Sequence, residues 1–177
     1  MIRTGLIGFG KWGKKLHNTL SKITDLKFVC GSNKNYRDFL DKVDWVIIAT
    51  PNITHYSIVK CCMKAGKNVF CEKPLTLSYE KSKELYSLAE KYGVKLYVSD
   101  IQNFRSKNFN IEARNLIQRT KLSSATIKDI LFNLTYHDIY KLYDSISDRP
   151  IKSIKVFDKE KRLNFEVNFD GITYEFY

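Results

Sequence analysis

Short apolar runs alternate with amphipathic segments along residues 1–100. Apolar runs at residues 2–7, 27–30, 44–49, 68–71 and 95–98 predict five strands. Apolar residues at helical spacing predict helices over residues 11–21, 56–65 and 78–92, with Ser78 as an N-cap and Gly66 and Gly93 after the last turns. Only a one- or two-turn helix over residues 36–40 fits between the second and third strands. This alternation predicts an α/β fold: a doubly wound parallel sheet with helices on both faces.

The pattern changes beyond Asp100. Helices are predicted over residues 108–118 and 136–145, a strand over residues 126–132, and two or three strands at the end of the chain. Phe165, Val167 and Phe169 alternate with polar residues and lead into the turn pair Asp170-Gly171, which is typical of a hairpin. Residues 103–177 are therefore predicted to form a small α+β domain with an antiparallel sheet, after a first domain at residues 1–102.

The final strand pattern continues to Phe176 without a polar tail. An uncovered strand edge pairs readily with another chain. We therefore expect a homo-oligomer formed through the C-terminal sheet.

Composition limits the class of protein. Of 177 residues 44% are hydrophobic, and three prolines and eight glycines leave little room for a disordered linker, which indicates a folded protein. The N-terminus lacks a signal-peptide pattern, and the longest aliphatic run, at residues 45–49, is too short to span a bilayer. The four cysteines show no CxxC spacing, and the adjacent pair Cys61-Cys62 suits reduced thiols. A cytoplasmic protein with no membrane association and no metal site is predicted.

The net charge of +11 raises the alternative of a nucleic-acid-binding protein. The excess lysines, however, are scattered along the chain in no long basic run, and no nucleic-acid-binding motif is present. This pattern is typical of a solvated basic surface. Such a surface also attracts phosphorylated small molecules.

A glycine-rich turn follows the first predicted strand and opens the first predicted helix. We call it the glycine turn; it runs Gly8-Phe9-Gly10-Lys11-Trp12-Gly13. Gly8 permits a tight turn, Gly10 lets a pyrophosphate approach the backbone, and Gly13 allows close packing of helix on strand. The N–H groups of the helix N-terminus would face the anion. The glycine turn thus predicts a dinucleotide cofactor site, with a tight turn that binds nothing as the alternative.

The end of the second strand bears on the choice of cofactor. NAD is usually bound there by an acidic residue that holds the ribose 2′-OH. This chain has Ser32, Asn33 and Lys34, with Arg37 nearby, and a hydroxyl, an amide and cations suit a 2′-phosphate better. NADP is therefore predicted in preference to NAD. The alternative is that Lys34 and Arg37 only belong to the general surplus of basic residues.

Two further segments follow buried strands, at the edge where ligands bind in open α/β sheets. Thr50, Pro51 and Asn52 follow the third strand, and His55 could donate to the cofactor or could equally be a capping or packing residue. Glu72, Lys73 and Pro74 follow the fourth strand. A lysine beside a cationic nicotinamide releases its proton more readily than one in water, so Lys73 is a candidate acid/base group.

Together these motifs resemble the glucose-fructose oxidoreductase, inositol dehydrogenase and rhizopine-catabolism family (Gfo/Idh/MocA). The resemblance rests on the glycine turn, on Ala49-Thr50-Pro51-Asn52 with His55, and on Cys71-Glu72-Lys73-Pro74-Leu75. Asn103-Phe104-Arg105 is similar to the family's Asn-x-Arg segment, and Tyr136-His137-Asp138-Ile139 to its substrate-domain histidine motif. The resemblance covers the first 120 residues well and the remainder thinly.

The resemblance implies a Rossmann-type NAD(P)-binding domain followed by a substrate domain. It implies hydride transfer between NAD(P) and a hydroxyl or carbonyl carbon of a sugar, cyclitol or nucleotide sugar. Lys73 would hydrogen-bond the reacting oxygen, and His137 would shuttle its proton. Asn103, Arg105 and Asn133 would contact the carbohydrate-like substrate.

Two departures from the family pattern keep an alternative open. The family usually has an aspartate four residues before the motif histidine, and here that position is Asn133, which cannot take a proton. The second domain is also short. The alternative is a cofactor-binding regulatory or scaffold protein that has lost catalysis, with His137 only a polar residue at the start of an apolar helix.

Overall fold

The computed structural model of the chain describes residues 1–32, 34–99, 114–117, 149–159, 162–169 and 172–176. The chain divides into two compact units, Met1–Asp100 and Ile101–Tyr177. Each unit has its own β-sheet.

The first unit contains a five-stranded parallel sheet. Its strands are β1 (Arg3–Ile7), β2 (Asp25–Cys30), β3 (Trp45–Ile48), β4 (Asn68–Cys71) and β5 (Leu96–Val98). Their order in space is β2-β1-β3-β4-β5, and every neighbouring pair is parallel. β2 lies on one side of β1, whereas β3, β4 and β5 follow one another on the other side of β1. The sheet therefore has a switch point between β1 and β3, where doubly wound folds place their ligands.

Four helical segments connect these strands. They are α1 (Lys11–Ile23), a 3₁₀ helix (Tyr36–Lys42), α2 (Asn52–Lys64) and α3 (Tyr79–Tyr92). Ser78 caps α3, since its side chain accepts from the Lys81 N–H, and Gly93 ends it in the left-handed conformation at φ +63°. The predicted strand–helix alternation, the Ser78 cap and the short helix before β3 are confirmed.

The core lies between the sheet and the helices that follow β2, β3 and β4. Val46 and Ile48 of β3 and Val69 of β4 are fully buried, and they belong to one cluster with Met63 of α2 and Leu85 of α3. Ile47 is buried on the opposite face of β3. Burial on both faces is why β3 is apolar at consecutive positions. Each of these side chains contributes about 1.5–3 kcal/mol by leaving water.

The second unit contains a four-stranded sheet in the order β6-β9-β8-β7. Its strands are β6 (Arg114–Ile117), β7 (Ile151–Lys159), β8 (Arg162–Phe169) and β9 (Ile172–Phe176). β8 pairs antiparallel with β7 and with β9, and Phe169 lies opposite Ile172 across the turn. The predicted hairpin and antiparallel sheet are confirmed.

The prediction of a helix over residues 108–118 is wrong at residues 114–117, the part of this range that the structure describes. Residues 114–117 form β6, which pairs parallel with β9, with Arg114 opposite Thr173. Two adjacent apolar residues, Leu116 and Ile117, are compatible with a helix or with a strand when so few residues are considered. The pairing with β9, a segment far along the chain, makes this segment a strand. The predicted strand at 126–132 and helix at 136–145 lie outside the described residues.

The last strand is not a sheet edge. β9 lies between β6 and β8 and pairs with both of them. The expectation of an uncovered last strand, on which the predicted oligomer rested, is therefore wrong, because β6 covers it. Within the described sheet the outer strands are β6 and β7.

In the part of the chain that the structure describes, no helix combines the length and the hydropathy needed to cross a bilayer.

Candidate functional site

The loops after the parallel strands meet at one edge of the first sheet. Each loop begins with a backbone hydrogen bond to the last residue of a neighbouring strand. Gly8 N–H donates to the Cys30 carbonyl at 2.8 Å, Ala49 N–H to that of Ile7 at 2.8 Å, and Glu72 N–H to that of Ile48 at 2.9 Å. The glycine turn, residues 49–51 and residues 72–74 are therefore held side by side at the carboxyl ends of the strands.

Packing requires glycine at two positions of the glycine turn. Gly8 has φ +102°, and a Cβ there would collide with the Ala49 carbonyl. A Cβ on Gly13 would collide with the carbonyl oxygen of Gly8. Gly10 differs, because a Cβ there would meet open space. Gly8 and Gly13 thus have the tight-turn and close-packing positions expected from the sequence, and Gly10 borders room for a ligand.

The N-terminus of α1 opens onto this room. Its N-cap is Gly10, which has no side chain to accept from the first-turn N–H groups, and the first turn contains no acidic residue. Unsatisfied N–H groups and the positive end of the helix dipole favour an anion at such a position. Lys11, the first helical residue, is exposed and adds a cation beside it.

Two aromatic residues of the glycine turn lie at the surface of the site. Phe9 is 40% exposed and Trp12 is 46% exposed. The ammonium of Lys15 lies 5.3 Å from the centre of the Trp12 ring. The indole Nε1–H of Trp12 donates to Oε1 of Glu72 at 2.6 Å. The glycine turn and the segment after β4 are thus joined by a charge-assisted hydrogen bond.

The residues predicted to bind a 2′-phosphate separate into two positions. Ser32 and Lys34 directly follow β2 and are exposed at the sheet edge. Arg37 lies on the 3₁₀ helix, where its guanidinium is 5.2 Å from the Tyr36 ring. Burial raises the pKa of Tyr36 to about 12, and the Cys61 thiol adds to the shift. Lys34 therefore lies just after the end of β2, whereas the guanidinium of Arg37 lies against the Tyr36 ring on the 3₁₀ helix.

His55 is buried and lies against two carbonyl groups. Its Nδ1 is 2.8 Å from the Pro74 carbonyl oxygen, and its Nε2 is 2.9 Å from that of Thr50. The side chain is 1% exposed. A carbonyl only accepts, so a neutral imidazole donates to one of them and a protonated imidazole to both. This geometry favours the packing alternative, in which His55 ties the loops after β3 and β4 together.

The hydroxyl groups beside His55 are also engaged. The Thr54 hydroxyl reaches the Thr50 hydroxyl at 2.8 Å and the Pro51 carbonyl at 2.7 Å. Asn52 begins α2 directly after Pro51. Residues 50–52 are therefore part of a hydrogen-bonded turn that the following helix holds in place.

Lys73 lies between two fixed neighbours. Glu72 on one side is bonded to Trp12, and Pro74 on the other is buried, with its carbonyl bonded to His55. The Lys73–Pro74 peptide bond is cis. Lys73 itself is half-buried. The backbone that presents its amine is thus held from both sides.

The cysteines near the site are buried thiols. Burial raises the pKa of the Cys71 thiol, with the neighbouring Glu72 adding to the shift, and burial also raises the pKa of Cys30. Such groups stay protonated near neutral pH and are poor nucleophiles. Among the residues that the structure describes, no three His, Cys, Asp or Glu side chains are grouped to hold a metal ion.

Five of the predicted site residues lie outside the described residues. They are Asn33, Asn103, Arg105, Asn133 and His137. Sequence reasoning missed two contacts, Trp12 with Glu72 and His55 with Pro74. No pattern signals them, because the partners are 60 and 19 residues apart in the chain.

The sheet, its switch point and the glycine turn define a dinucleotide-binding type of fold, and comparison with known proteins agrees. The model of the Gfo/Idh/MocA oxidoreductase family, with an NAD-binding Rossmann fold, matches residues 25–100. The matched part runs from β2 to β5 and includes Glu72, Lys73 and Pro74. The first unit of this chain is similar to that family over these residues, in agreement with the resemblance of its motifs.

Two relatives illustrate the match in sequence. scyllo-Inositol 2-dehydrogenase (NADP(+)) IolW of Bacillus subtilis is 28% identical over 151 residues, which cover 75% of this chain and 42% of that protein. 2,7-Anhydro-N-acetylneuraminate hydratase of Escherichia coli is 30% identical over 122 residues, 59% of this chain and 33% of that protein. The chain spans less than half the length of these relatives.

Solved structures show the same fold over nearly the whole chain. UDP-N-acetylglucosamine 3-dehydrogenase GnnA from Acidithiobacillus ferrooxidans superposes with a TM-score of 0.81 at 20% identity, covering 99% of this chain and 68% of that one. Dehydrogenase MviM from Clostridium difficile has a TM-score of 0.77 at 18% identity, with 99% and 69% covered. At these identities the likeness concerns the fold alone.

Proposed function

We propose that the protein is an NAD(P)-dependent oxidoreductase. It transfers a hydride between a nicotinamide cofactor and a hydroxyl or carbonyl carbon of a sugar, cyclitol or nucleotide sugar. One observation carries this proposal: the glycine turn at the open N-terminus of α1 lies at the same sheet edge as Lys73 and is bonded to Glu72. An anion site and a candidate acid/base group are thereby presented together.

The described residues fit a dinucleotide. The pyrophosphate would lie against Gly8, Gly10 and the first turn of α1, where the open space at Gly10 admits it. The adenosine ribose would lie at the end of β2, beside Ser32 and Lys34. We propose NADP as the preferred cofactor, because Lys34 offers a cation there where NAD-binding sites have a carboxylate. When bound, the nicotinamide supplies the carbon that accepts or releases the hydride.

Lys73 is the proposed acid/base group. Its amine would hydrogen-bond the reacting oxygen, taking its proton during oxidation and returning one during reduction. By family resemblance His137 would exchange that proton with solvent, and Asn103, Arg105 and Asn133 would orient the substrate. Glu72, Pro74 and His55 hold the backbone of Lys73 in place.

The names of relatives support the choice of substrate class. One relative is named as an NADP-linked inositol dehydrogenase, and a protein of the same fold as a nucleotide-sugar dehydrogenase. Another is named as a hydratase of an anhydro sugar acid. Carbohydrate-like molecules are therefore the first compounds to test.

A second candidate function is a cofactor-binding regulatory or scaffold protein without catalysis. Asn133 favours it, because an amide at the position of the family's aspartate cannot take a proton. Both functions predict cofactor binding, and they differ only in turnover.

Calorimetry followed by a turnover assay separates the two. We expect NADPH and NADH to bind, with NADPH the tighter. A panel of inositols, hexoses, UDP-sugars and 2,7-anhydro-N-acetylneuraminate is then screened for absorbance change at the nicotinamide band. Turnover of any member supports the oxidoreductase, binding without turnover across the panel supports the second candidate, and absence of cofactor binding contradicts both.

We also propose that the protein is cytoplasmic and forms a homo-oligomer through its C-terminal sheet. Four free cysteines within the described residues, three of them buried, suit a reducing compartment. β7 is an outer strand of the sheet and exposes Ile151 and Ile154 by 56% and 58%. Light scattering on wild type and on an Ile154→Lys variant tests the oligomer, which the variant should weaken.

A further inference from the structure

We propose that Trp12 is a positioning residue for the nicotinamide half of the cofactor, holding the Glu72 carboxylate where it binds the nicotinamide ribose. This inference rests on the proposed function. It is carried by the hydrogen bond from Trp12 Nε1 to Glu72 Oε1.

The position of this bond in the sheet is its main support. Trp12 is the second residue of α1, which follows β1, whereas Glu72 directly follows β4. β3 lies between β1 and β4. The bond therefore joins two loops on either side of the end of β3.

That position lies on the path of the proposed cofactor. The pyrophosphate would be bound at the start of α1, and the adenosine half would extend towards β2 on one side. The nicotinamide half must then extend to the other side, past the end of β3 towards β4 and Lys73. The hydrogen bond between Trp12 and Glu72 spans this stretch between the start of α1 and the end of β4.

The chemistry of Glu72 suits a ribose. A carboxylate accepts several hydrogen bonds at once, so the bond from Trp12 leaves acceptor positions for two ribose hydroxyls. A carboxylate already fixed by the indole loses less side-chain freedom when the ribose binds. The Lys15 ammonium, 5.3 Å from the Trp12 ring, helps to hold the ring in this orientation.

A purely structural role for this pair is the competing explanation. Trp12 is 46% exposed and is not part of the buried cluster that stabilises the first unit. A bond between partly exposed groups contributes little to folding. We therefore expect its removal to affect binding of the nicotinamide half and not the fold.

The first experiment compares two ligands by calorimetry. NADPH contains the nicotinamide riboside, and 2′-phospho-ADP lacks it but keeps the adenosine half and the pyrophosphate. Trp12→Phe keeps an aromatic ring and removes the donor, and Trp45→Phe, which changes the other tryptophan of the chain, is the matched control. We expect Trp12→Phe to weaken NADPH about tenfold and 2′-phospho-ADP less than about twofold.

The second experiment uses Trp12 as its own reporter. In the Trp45→Phe background Trp12 is the remaining tryptophan, so its emission reports on the site directly. We expect NADP⁺ to quench this emission and 2′-phospho-ADP to leave it unchanged. Emission that saturating NADP⁺ does not alter would overturn the inference.

Variants of Glu72 distinguish positioning from bulk packing. Glu72→Gln keeps an oxygen that accepts from Trp12, whereas Glu72→Ala removes it. We expect the glutamine variant to retain NADPH affinity closer to wild type than the alanine variant. Equal weakening of both ligands by Trp12→Phe, or of NADPH by both Glu72 variants, would show a general role in the fold and contradict positioning.

Failure of the inference differs from failure of the proposed function. Wild-type protein that binds neither NADPH nor 2′-phospho-ADP, and neither NADH nor ADP, contradicts the proposed function and the inference with it. Wild-type protein that binds both ligands, beside a Trp12→Phe variant with unchanged affinities, contradicts the inference alone.

Discussion

The Nδ1 atom of His55 lies 2.8 Å from the carbonyl oxygen of Pro74, and this contact joins the start of α2 to the loop that carries Lys73. The other ring nitrogen is 2.9 Å from the Thr50 carbonyl oxygen. One buried side chain therefore connects the ends of β3 and β4. The loop that carries Lys73 is therefore held by His55 as well as by the bond between Glu72 and Trp12 of the glycine turn.

Replacing His55 by Ala should lower the free energy of unfolding by about 2–4 kcal/mol, because it empties a buried position and removes the imidazole donor from the carbonyl groups of Thr50 and Pro74. Urea denaturation measures the change. His17→Ala, on the partly exposed α1, is the control and should stay within about 0.5 kcal/mol of wild type. A His55→Ala variant as stable as this control would show that the contact does not hold the loops.

Two glycine substitutions should separate packing from ligand binding. Gly13→Ala should destabilise the fold by about 1–3 kcal/mol, because its Cβ meets the Gly8 carbonyl. Gly10→Ala should leave stability nearly unchanged, since its Cβ meets open space, and should weaken NADPH binding by filling that space. Thermal melts and calorimetry on both variants measure these effects. Unchanged NADPH affinity in Gly10→Ala would argue against a pyrophosphate at this turn.

Lys73→Ala should slow hydride transfer by about 10²–10⁴-fold while cofactor affinity is largely kept, because the lysine acts on the substrate oxygen. Single-turnover absorbance of the nicotinamide band measures the rate. Lys95→Ala, at an exposed lysine before β5, is the matched control and should react like wild type. Turnover by Lys73→Ala at the wild-type rate would end the assignment.

Cofactor choice should depend on Lys34 more than on Arg37. Lys34→Ala should weaken NADPH by about tenfold and leave NADH unchanged, since a cation facing the 2′-phosphate is lost. Arg37→Ala should have a smaller effect, because its guanidinium lies against the Tyr36 ring. Calorimetry with both cofactors measures the ratio. An equal loss of NADPH and NADH affinity in Lys34→Ala would contradict a 2′-phosphate site there.

Acid should destabilise the contact between α2 and α3. The hydrogen bond from Lys60 to Glu84, at 2.6 Å, and then that from Tyr56 hold the pKa of Glu84 below its ordinary value of 4.5. A group with a lowered folded-state pKa contributes stability that is complete above its unfolded pKa and is lost as pH falls through the folded one. Melting temperatures between pH 3 and 7 should therefore fall less steeply below about pH 4.5 in Glu84→Gln than in wild type. Parallel curves for the two proteins would contradict this contribution.

The first unit could be predicted closely because its signals are local. The consecutive apolar positions of β3, the Ser78 cap and Gly93 each act within a few residues of where they stand. The second unit could be predicted less closely than the first. Residues 114–117 carry too few apolar positions to distinguish a helix from a strand, and their pairing partner lies in β9, far along the chain.

The sequence by itself determined the parallel sheet, the glycine turn and the resemblance to the family, since strand period, helix caps and the Glu72-Lys73-Pro74 run are properties of neighbouring residues. Only the tertiary structure decided how these segments act on one another. It joined Trp12 to Glu72 across the end of β3, buried His55 between two carbonyls and placed β9 inside its sheet. Each of these contacts joins residues from different elements, so its energy depends on how the chain packs and no local pattern encodes it.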